Sequence, residues 1–343
     1  MGGKALSRVA RRMEREEYLR LSEDLLRSVA GIAGGYRVEI LPSYFSKRDF
    51  GDIDVLVDQR LRSRETELLE VIGATESVHN GGTTSVGLSR NGLIQVDLNY
   101  MASEWFDFAR GYFGFNDLGN IIGRVAHRAG FKLGHKGLCY VVRDDENPDY
   151  AMSELTITRN WYEALDLLGY DPEEYRCGES GGFQELVDMF RFAVSSRYSS
   201  RDIYLLENAS SATRTRDRKR ITYREFLLWI NRPDVALEPG GASKMDIRTS
   251  ILGGAMERFP RFAHDYENAR VELRNRKCAH QKFNGRLVGK LTGLSGKELG
   301  TYMRNIVEHF GSKAELQTWV LEASEREIEE MVLERSPSFG ITM

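Results

Sequence analysis

Two aspartates, Asp52 and Asp54, enter an apolar, β-branched run that extends to Val57. Side chains alternate between the two faces of a strand, so both carboxylates project together while the apolar residues between them point towards a core. A second run of this kind, from Leu93 to Asn99, carries Asp97 at its centre. If the two strands are neighbours, three carboxylates meet at one point of the sheet.

Clustered carboxylates of this kind predict a metal site. Two like charges about 4 Å apart repel by about 4 kcal/mol at an effective dielectric of roughly 20, so the cluster needs cations. Oxygen ligands favour Mg²⁺, with Mn²⁺ as a substitute. Two metal ions on shared carboxylates form a site for phosphoryl transfer. An Asp-x-Asp pair alone is more often solvated surface, so the hypothesis depends on the neighbouring residues.

The segment before Asp52 offers the groups that a triphosphate needs. Ser43 supplies a hydroxyl, and Lys47 and Arg48 supply two cations. Gly51 lets the backbone approach a ligand closely just before the first aspartate. Together these residues predict a nucleotide-binding site beside the carboxylates.

Length and composition exclude several classes of protein. The chain has 343 residues, of which 41% are hydrophobic and 29% charged, and a formal net charge of −3. These values are ordinary for a soluble protein of two or three domains. No apolar run approaches the ~20 residues of a membrane span, and no signal peptide is visible. The 3 cysteines are far apart, which argues against a disulfide framework or a zinc motif. We therefore expect a cytoplasmic protein without a membrane partner.

Apolar periodicity assigns these residues to secondary-structure elements. The spacing predicts a helix over 14–32 that ends at Gly34-Gly35, a strand around 36–40, and a helix over 65–72. Asn91-Gly92 separates two alternating runs, 83–89 and 93–99, and so predicts a β-hairpin. The chain after Cys177 is predicted to be mostly helical. The basic start, Met1 to Arg12, is compatible with a loose arm.

The residues around the aspartates resemble a known family. Ser43-Tyr44 followed by Gly51-Asp52-Ile53-Asp54-Val55-Leu56 is similar to the palm motif of the DNA polymerase beta-like nucleotidyltransferases. Val96-Asp97-Leu98 is similar to that family's third-carboxylate strand, although Pro42 stands where the family has glycine. The resemblance implies that Asp52 and Asp54 bind both metal ions and that Asp97 binds the one that activates the acceptor hydroxyl. Ser43, Lys47 and Arg48 would hold the leaving phosphates.

The next segment, 104–176, resembles the thumb of the family X DNA polymerases. Tyr112-Phe113-Gly114 is similar to the Tyr-Phe-Thr-Gly motif that opens a thumb helix, and 166–176 resembles the motif that closes the thumb. The resemblance implies that Tyr112 and Phe113 face the sugar of the incoming nucleotide. One residue is missing before Gly114, and Phe115 crowds the turn, so the choice between ribose and deoxyribose stays open.

Two features of the C-terminal half indicate a nucleic-acid partner. A basic run precedes the aromatic residues of 223–229, and cations interleaved with aromatic rings suit a phosphate backbone and stacked bases. A solvated helix face is the alternative. The run comprises Arg214, Arg216, Arg218, Lys219 and Arg220. A second basic stretch spans 270–282, and the glycine-rich pattern that begins at Phe283 is weakly similar to CCA-adding enzymes and bacterial poly(A) polymerases, which implies RNA.

We therefore predict an α+β, metal-dependent nucleotidyltransferase with an N-terminal helix in 1–35, a palm over 36–103, a thumb-like subdomain over 104–176 and a helical C-terminal domain over 177–343. It would transfer a nucleoside monophosphate from a nucleoside triphosphate to the 3′ hydroxyl of a nucleic acid, with an RNA end favoured over DNA, and release pyrophosphate. One alternative is a transferase that nucleotidylates a protein or small molecule. Another is a catalytically idle nucleic-acid-binding protein. Template use and nucleotide preference stay open.

Overall fold

The computed structural model describes residues 5–144 and 151–335. They fall into two compact units, of which the first runs to Val141 and resumes from Glu154 to Phe262, and the second takes 142–153 and the chain from Ala263 onwards. The fold is α+β, as predicted. The first unit contains the palm segment predicted from the sequence, the thumb segment except residues 142–153, and residues 177–262. The predicted four-part division stays a prediction.

Ten strands form three sheets in the described part of the chain. They are β1 (Met13–Glu14), β2 (Val38–Ile40), β3 (Asp49–Phe50), β4 (Ile53–Asp58), β5 (Ala74–Asn80), β6 (Thr83–Ser89), β7 (Leu93–Met101), β8 (Phe131–Gly134), β9 (Gly137–Arg143) and β10 (Ala151–Thr158). The largest sheet has the order β2-β4-β7-β6-β5, and β4 and β7 are its only parallel pair. The smaller sheets pair β1 with β3, and β9 with β8 and β10.

The described residues also form sixteen α-helices. They are α1 (Arg15–Ala33), α2 (Glu65–Ile72), α3 (Phe106–Phe113), α4 (Leu118–Arg128), α5 (Trp161–Leu167), α6 (Pro172–Cys177), α7 (Leu186–Val194), α8 (Arg201–Tyr204), α9 (Ser211–Asp217), α10 (Ile221–Ile230), α11 (Lys244–Arg258), α12 (Pro260–Lys282), α13 (Gly285–Thr292), α14 (Gly296–His309), α15 (Lys313–Glu322) and α16 (Glu325–Glu334). None of these helices is long and apolar enough to cross a bilayer.

The five-stranded sheet has one apolar face and one partly polar face. On the apolar face, Val55, Val86 and Val96 pack with Leu25 of α1 and Leu68 of α2 in a single buried cluster. This packing follows from strand alternation, since the odd positions of β4 and the even positions of β7 are apolar. The opposite face therefore carries the aspartates, and its apolar part is covered by α3.

The sequence located several elements of the first unit correctly. The helix predicted over 14–32 is α1, and Gly34 ends it in the left-handed conformation with φ 54°. The predicted hairpin is β6–β7, and both turn residues, Asn91 and Gly92, have positive φ values of 49° and 114°. The expectation of a loose N-terminal arm is wrong for residues 5–12. Leu6 and Ala10 are buried, and the Arg11 N–H donates to the Leu93 carbonyl at 2.8 Å.

The second unit has a helical core of its own, to which α13, α14, α15 and α16 contribute. The glycine-rich segment of the weak resemblance forms two of these helices. The Asn284 side chain accepts backbone N–H groups at the start of α13, and Gly293 ends that helix with φ 74°. The Lys282 ammonium donates to three carbonyls at the end of α15 and just beyond, at 2.9 to 3.3 Å, so this lysine of the second basic stretch stabilises a helix terminus.

Candidate active site

Parallel pairing of β4 with β7 brings the predicted carboxylates together. Asp54 and Asp97 are direct register partners. Neighbouring strands lie about 4.8 Å apart, so two side chains on the same face at partner positions can share one cation. Asp52 precedes Asp54 by two residues, and its negative charge raises the pKa of both other carboxyl groups. All three carboxylates predicted from the sequence therefore belong to one cluster.

The cluster is electrostatically unfavourable when it is fully ionised. The pKa of Asp54 is raised to about 7, first by loss of hydration and then by the charges of Asp52 and Asp97. Asp54 is nevertheless exposed to water, so a ligand can reach its carboxylate. Burial also raises the pKa of Asp97, against the hydrogen bond from Ser85. The site therefore favours either a bound proton or a bound cation.

Polar side chains on β6 and β7 hold Asp97. The Gln95 amide nitrogen donates to both carboxylate oxygens of Asp97, at 2.9 and 3.0 Å. Gln95 is buried, and its side-chain carbonyl oxygen accepts the Ala5 backbone N–H at 3.0 Å. Thr83 donates to the side-chain oxygen of Asn99 at 2.7 Å. Sequence reasoning missed Gln95, although its spacing of two residues from Asp97 places it on the same face of the strand.

The donor set fits a magnesium ion. Three carboxylates on an open face give hard oxygen ligands with room for water and phosphate oxygens. Within residues 5–144 and 151–335, no three acidic, histidine or cysteine side chains are placed closely enough to hold a metal ion together, so the carboxylates would have to move towards an ion that binds. Gln95 donates one hydrogen bond to each oxygen of Asp97, which leaves a lone pair on each oxygen for an ion.

The segment predicted to bind phosphates lies beside the carboxylates. Burial lowers the pKa of the Lys47 ammonium, while the charges of Asp54 and Asp52 act in the opposite direction. The same ammonium donates to the Asn116 side chain at 3.0 Å. Ser43 is partly buried and Arg48 is exposed, and Arg48 makes no ion pair within the described chain. Lys47 is thus the cation that lies closer to the carboxylates. The exposed Arg48 side chain is available to a ligand.

The tight turn between α3 and α4 packs against Pro42, at the start of this segment. The Phe115 N–H donates to the Pro42 carbonyl at 2.7 Å. A Cβ on Gly114 would lie 2.8 Å from the Arg110 carbonyl oxygen and 3.0 Å from Pro42 Cγ, so only glycine fits here without displacement. Phe115 has φ 55° and is buried in contact with Phe183. Pro42 and the shortened motif therefore form one packed unit.

The two aromatic residues of the predicted sugar contact line different cavities. Phe113 lines a cavity of about 560 Å³ that also borders Asn99. Tyr112 lines a smaller cavity of about 180 Å³, together with Arg124 and Arg216. Their rings are 5.4 Å apart in an edge-to-face arrangement. A single sugar would therefore contact these two side chains from different directions.

Part of the predicted nucleic-acid-binding run is paired inside the first unit. Arg216 donates to Asn120 at 2.8 Å and pairs with Asp217 at 3.0 Å, and Arg220 pairs with Asp117. Asp217 is fully buried and also binds the Arg124 guanidinium at 2.5 Å. The acidic residue Asp217 within the basic run was the sequence signal that could have predicted such internal pairing. Arg214, Arg218 and Lys219 make no ion pair among the described residues.

The chain matches no protein-family model and no curated protein. What distinguishes the site is therefore its own geometry. The parallel strand pair carries Asp54 and Asp97, Asp52 comes just before it, and the lysine beside them donates to Asn116 in the turn after α3.

Proposed function

We propose that the protein is a metal-dependent nucleotidyltransferase with a polymerase beta-like palm. It would transfer a nucleoside monophosphate from a nucleoside triphosphate to the 3′ hydroxyl of a nucleic acid and release pyrophosphate. The observation that carries this proposal is the register pairing of Asp54 with Asp97 beside Asp52. Three carboxylates on an open sheet face suit two divalent cations, and that pair suits phosphoryl transfer.

Each residue of the site has a role in this proposal. Asp52 and Asp54 would hold both magnesium ions, and Asp97 would hold one of them; bound magnesium lowers the pKa of the acceptor hydroxyl and neutralises phosphate charge. Lys47 and Arg48 would bind the β- and γ-phosphates. The deprotonated hydroxyl attacks the α-phosphorus in line, a new phosphorus–oxygen bond forms, and the bond to the pyrophosphate oxygen breaks.

An RNA end is the favoured acceptor. Arg214, Arg218 and Lys219 are cations without an internal ion pair among the described residues, which leaves them available to phosphates. The weak similarity of the segment after Phe283 to RNA-specific enzymes adds to this expectation. We propose the cytoplasm as the compartment on the evidence of the cysteine pattern.

Incubation with labelled nucleoside triphosphates, Mg²⁺ and a panel of RNA and DNA ends tests the proposal. The expected result is label on an oligonucleotide 3′ end and an equal amount of pyrophosphate, both lost in Asp54→Asn. Label on a protein or small molecule would instead favour the alternative of a transferase that nucleotidylates such an acceptor. Oligonucleotide binding without any transfer would favour an idle binding protein.

A further inference from the structure

A cavity of about 560 Å³ opens beside the carboxylate cluster. Asn99 connects the two, because it lines the cavity and its side-chain amide donates to the Asp97 backbone carbonyl at 3.2 Å. Asp97 precedes Asn99 by two residues on the same strand face, a distance of about 7 Å. A molecule bound in this cavity can therefore place a hydroxyl group near the carboxylates while it stays in contact with the cavity walls.

The walls of the cavity combine aromatic rings with cations. The Lys136 ammonium lies 4.5 Å from the centre of the Trp105 ring, and His135 stacks on Phe113 with ring centres 5.5 Å apart. Arg62 lies at the same cavity, 3.8 Å from Glu65. No acidic side chain lines the cavity in the described part of the chain. Such a surface suits a ligand with a flat ring and a negative charge.

The Trp105 ring lines the cavity, and its N–H is buried with no hydrogen-bond acceptor among the described residues. The volume also falls in the range of about 300–1,000 Å³ that is typical of small-molecule sites.

We propose that this cavity binds the unpaired terminal nucleotide of the acceptor, an inference that rests on the proposed function. The base takes the place of the Lys136 ammonium on the Trp105 ring, the displaced ammonium and Arg62 bind its phosphate, and its 3′ hydroxyl faces Asp97. The triphosphate occupies the other side of the carboxylates, where Lys47 lies. Acceptor and nucleotide then enter by separate routes and meet at Asp54.

Binding of an eight-nucleotide, fluorescein-labelled oligoadenylate RNA tests the inference directly. Its dissociation constant is measured by fluorescence anisotropy at low salt without added metal, so the measurement does not depend on turnover. We expect Trp105→Leu and Lys136→Ala each to weaken binding about tenfold, as for the loss of one stacking or phosphate contact. Lys132→Ala is the matched control. It removes the same charge from the same β8–β9 hairpin, but Lys132 pairs with Glu154 at 2.7 Å and lies outside the cavity.

Kinetics distinguish the acceptor from the nucleotide. In both cavity variants the KM for the acceptor should rise while the KM for the nucleoside triphosphate stays within twofold. A rise in nucleotide KM alone, or unchanged RNA affinity in Lys136→Ala, would overturn the inference. So would a wild-type protein that binds no oligonucleotide at low salt. Lys136 is exposed on a hairpin turn, so its variant decides the matter if Trp105→Leu fails to fold.

The two proposals fail in different ways. If wild-type protein binds RNA through the cavity but transfers nothing to any acceptor, the proposed function fails and the cavity inference stands. If it transfers nucleotides and the cavity variants keep their acceptor KM, the cavity inference fails and the proposed function stands.

Discussion

The two ends of strand β4 hold aspartates in opposite electrostatic states. Asp58 is 1% exposed, and its carboxylate accepts hydrogen bonds from the Arg60 backbone and side chain and from Ser103, at 2.7 to 3.0 Å. These bonds lower its pKa to about 2. Asp54, four residues earlier, has its pKa raised to about 7 by lost hydration and two neighbouring carboxylates. One residue type thus stabilises the fold at one end and strains it at the other.

This difference distinguishes a charged group that stabilises the fold from one that serves a functional site. A carboxylate whose pKa is lowered by its partners contributes folding free energy at neutral pH, whereas one whose pKa is raised costs folding free energy. Groups of the second kind cluster at functional sites more often than elsewhere. The Asp54 end of β4 therefore has the electrostatics of a ligand-binding site. At the other end, the protein itself supplies the hydrogen-bond partners of Asp58.

The largest expected effect is the loss of transfer activity when Asp54 or Asp97 is replaced. Asp54→Asn and Asp97→Asn should each lower the transfer rate about a thousandfold or more, because a lost metal ligand forfeits several kcal/mol of transition-state stabilisation. Both variants should melt at the wild-type temperature or above it in the absence of metal, since each removes repulsion. Label transfer and thermal melting measure the two effects. Wild-type turnover in Asp97→Asn would contradict the two-metal assignment.

The next effect concerns the cations beside the carboxylates. Replacing Lys47 and Arg48 together with alanine should raise the KM for the nucleoside triphosphate by about one to two orders of magnitude, because each charge-assisted hydrogen bond contributes about 1.5–3 kcal/mol at most. Nucleotide titration of the initial rate measures it. Arg60→Ala is the matched control, since it removes a cation at the other end of β4. Unchanged KM in the double variant would move the phosphate site elsewhere.

A smaller effect, on stability alone, is expected at the Asp58 end. Lowering the pKa from 3.8 to about 2 corresponds to about 2 kcal/mol at neutral pH. Asp58→Asn should therefore lower the free energy of unfolding by about 2 kcal/mol at pH 7 and leave transfer per folded molecule unchanged. Since the folded-state pKa is the lower one, this stabilisation is present above about pH 4 and is lost as the pH falls towards 2. Urea unfolding of both proteins at pH 7 and pH 3 measures it, and an equal difference at both pH values would contradict the assignment.

The smallest effect extends the comparison to the basic run. Arg218 and Lys219 have no internal ion pair in the described chain, whereas Arg220 pairs with Asp117. If the first two bind phosphates, replacing both with alanine should flatten the log–log salt dependence of single-stranded RNA binding by about 1.4 units, at roughly 0.7 per contact. Arg220→Ala should change the slope less. Anisotropy titrations at several salt concentrations provide the slopes, and the opposite ranking would show that the internal ion pairs open on binding.

Local features of this protein were readable from the sequence. Alternation fixed which face of β4 carries Asp52 and Asp54, and the periodicity of 65–72 located α2 to the residue. Asn91-Gly92 placed the hairpin because the turn requires positive φ at both positions. Each of these depends on residues within one or two turns of each other, where the physical cause lies in the chain itself.

Only the tertiary structure decided how distant segments meet. The parallel pairing that sets Asp54 opposite Asp97 joins residues 43 positions apart, and no local preference selects that strand order. The same holds for the contact of Lys47 with Asn116 and for the pairing of Arg220 with Asp117. Charge partners at long sequence separation are chosen by the packing of whole elements, so Asp217 marks the basic run as partly paired while its sequence does not show that Arg220 meets Asp117.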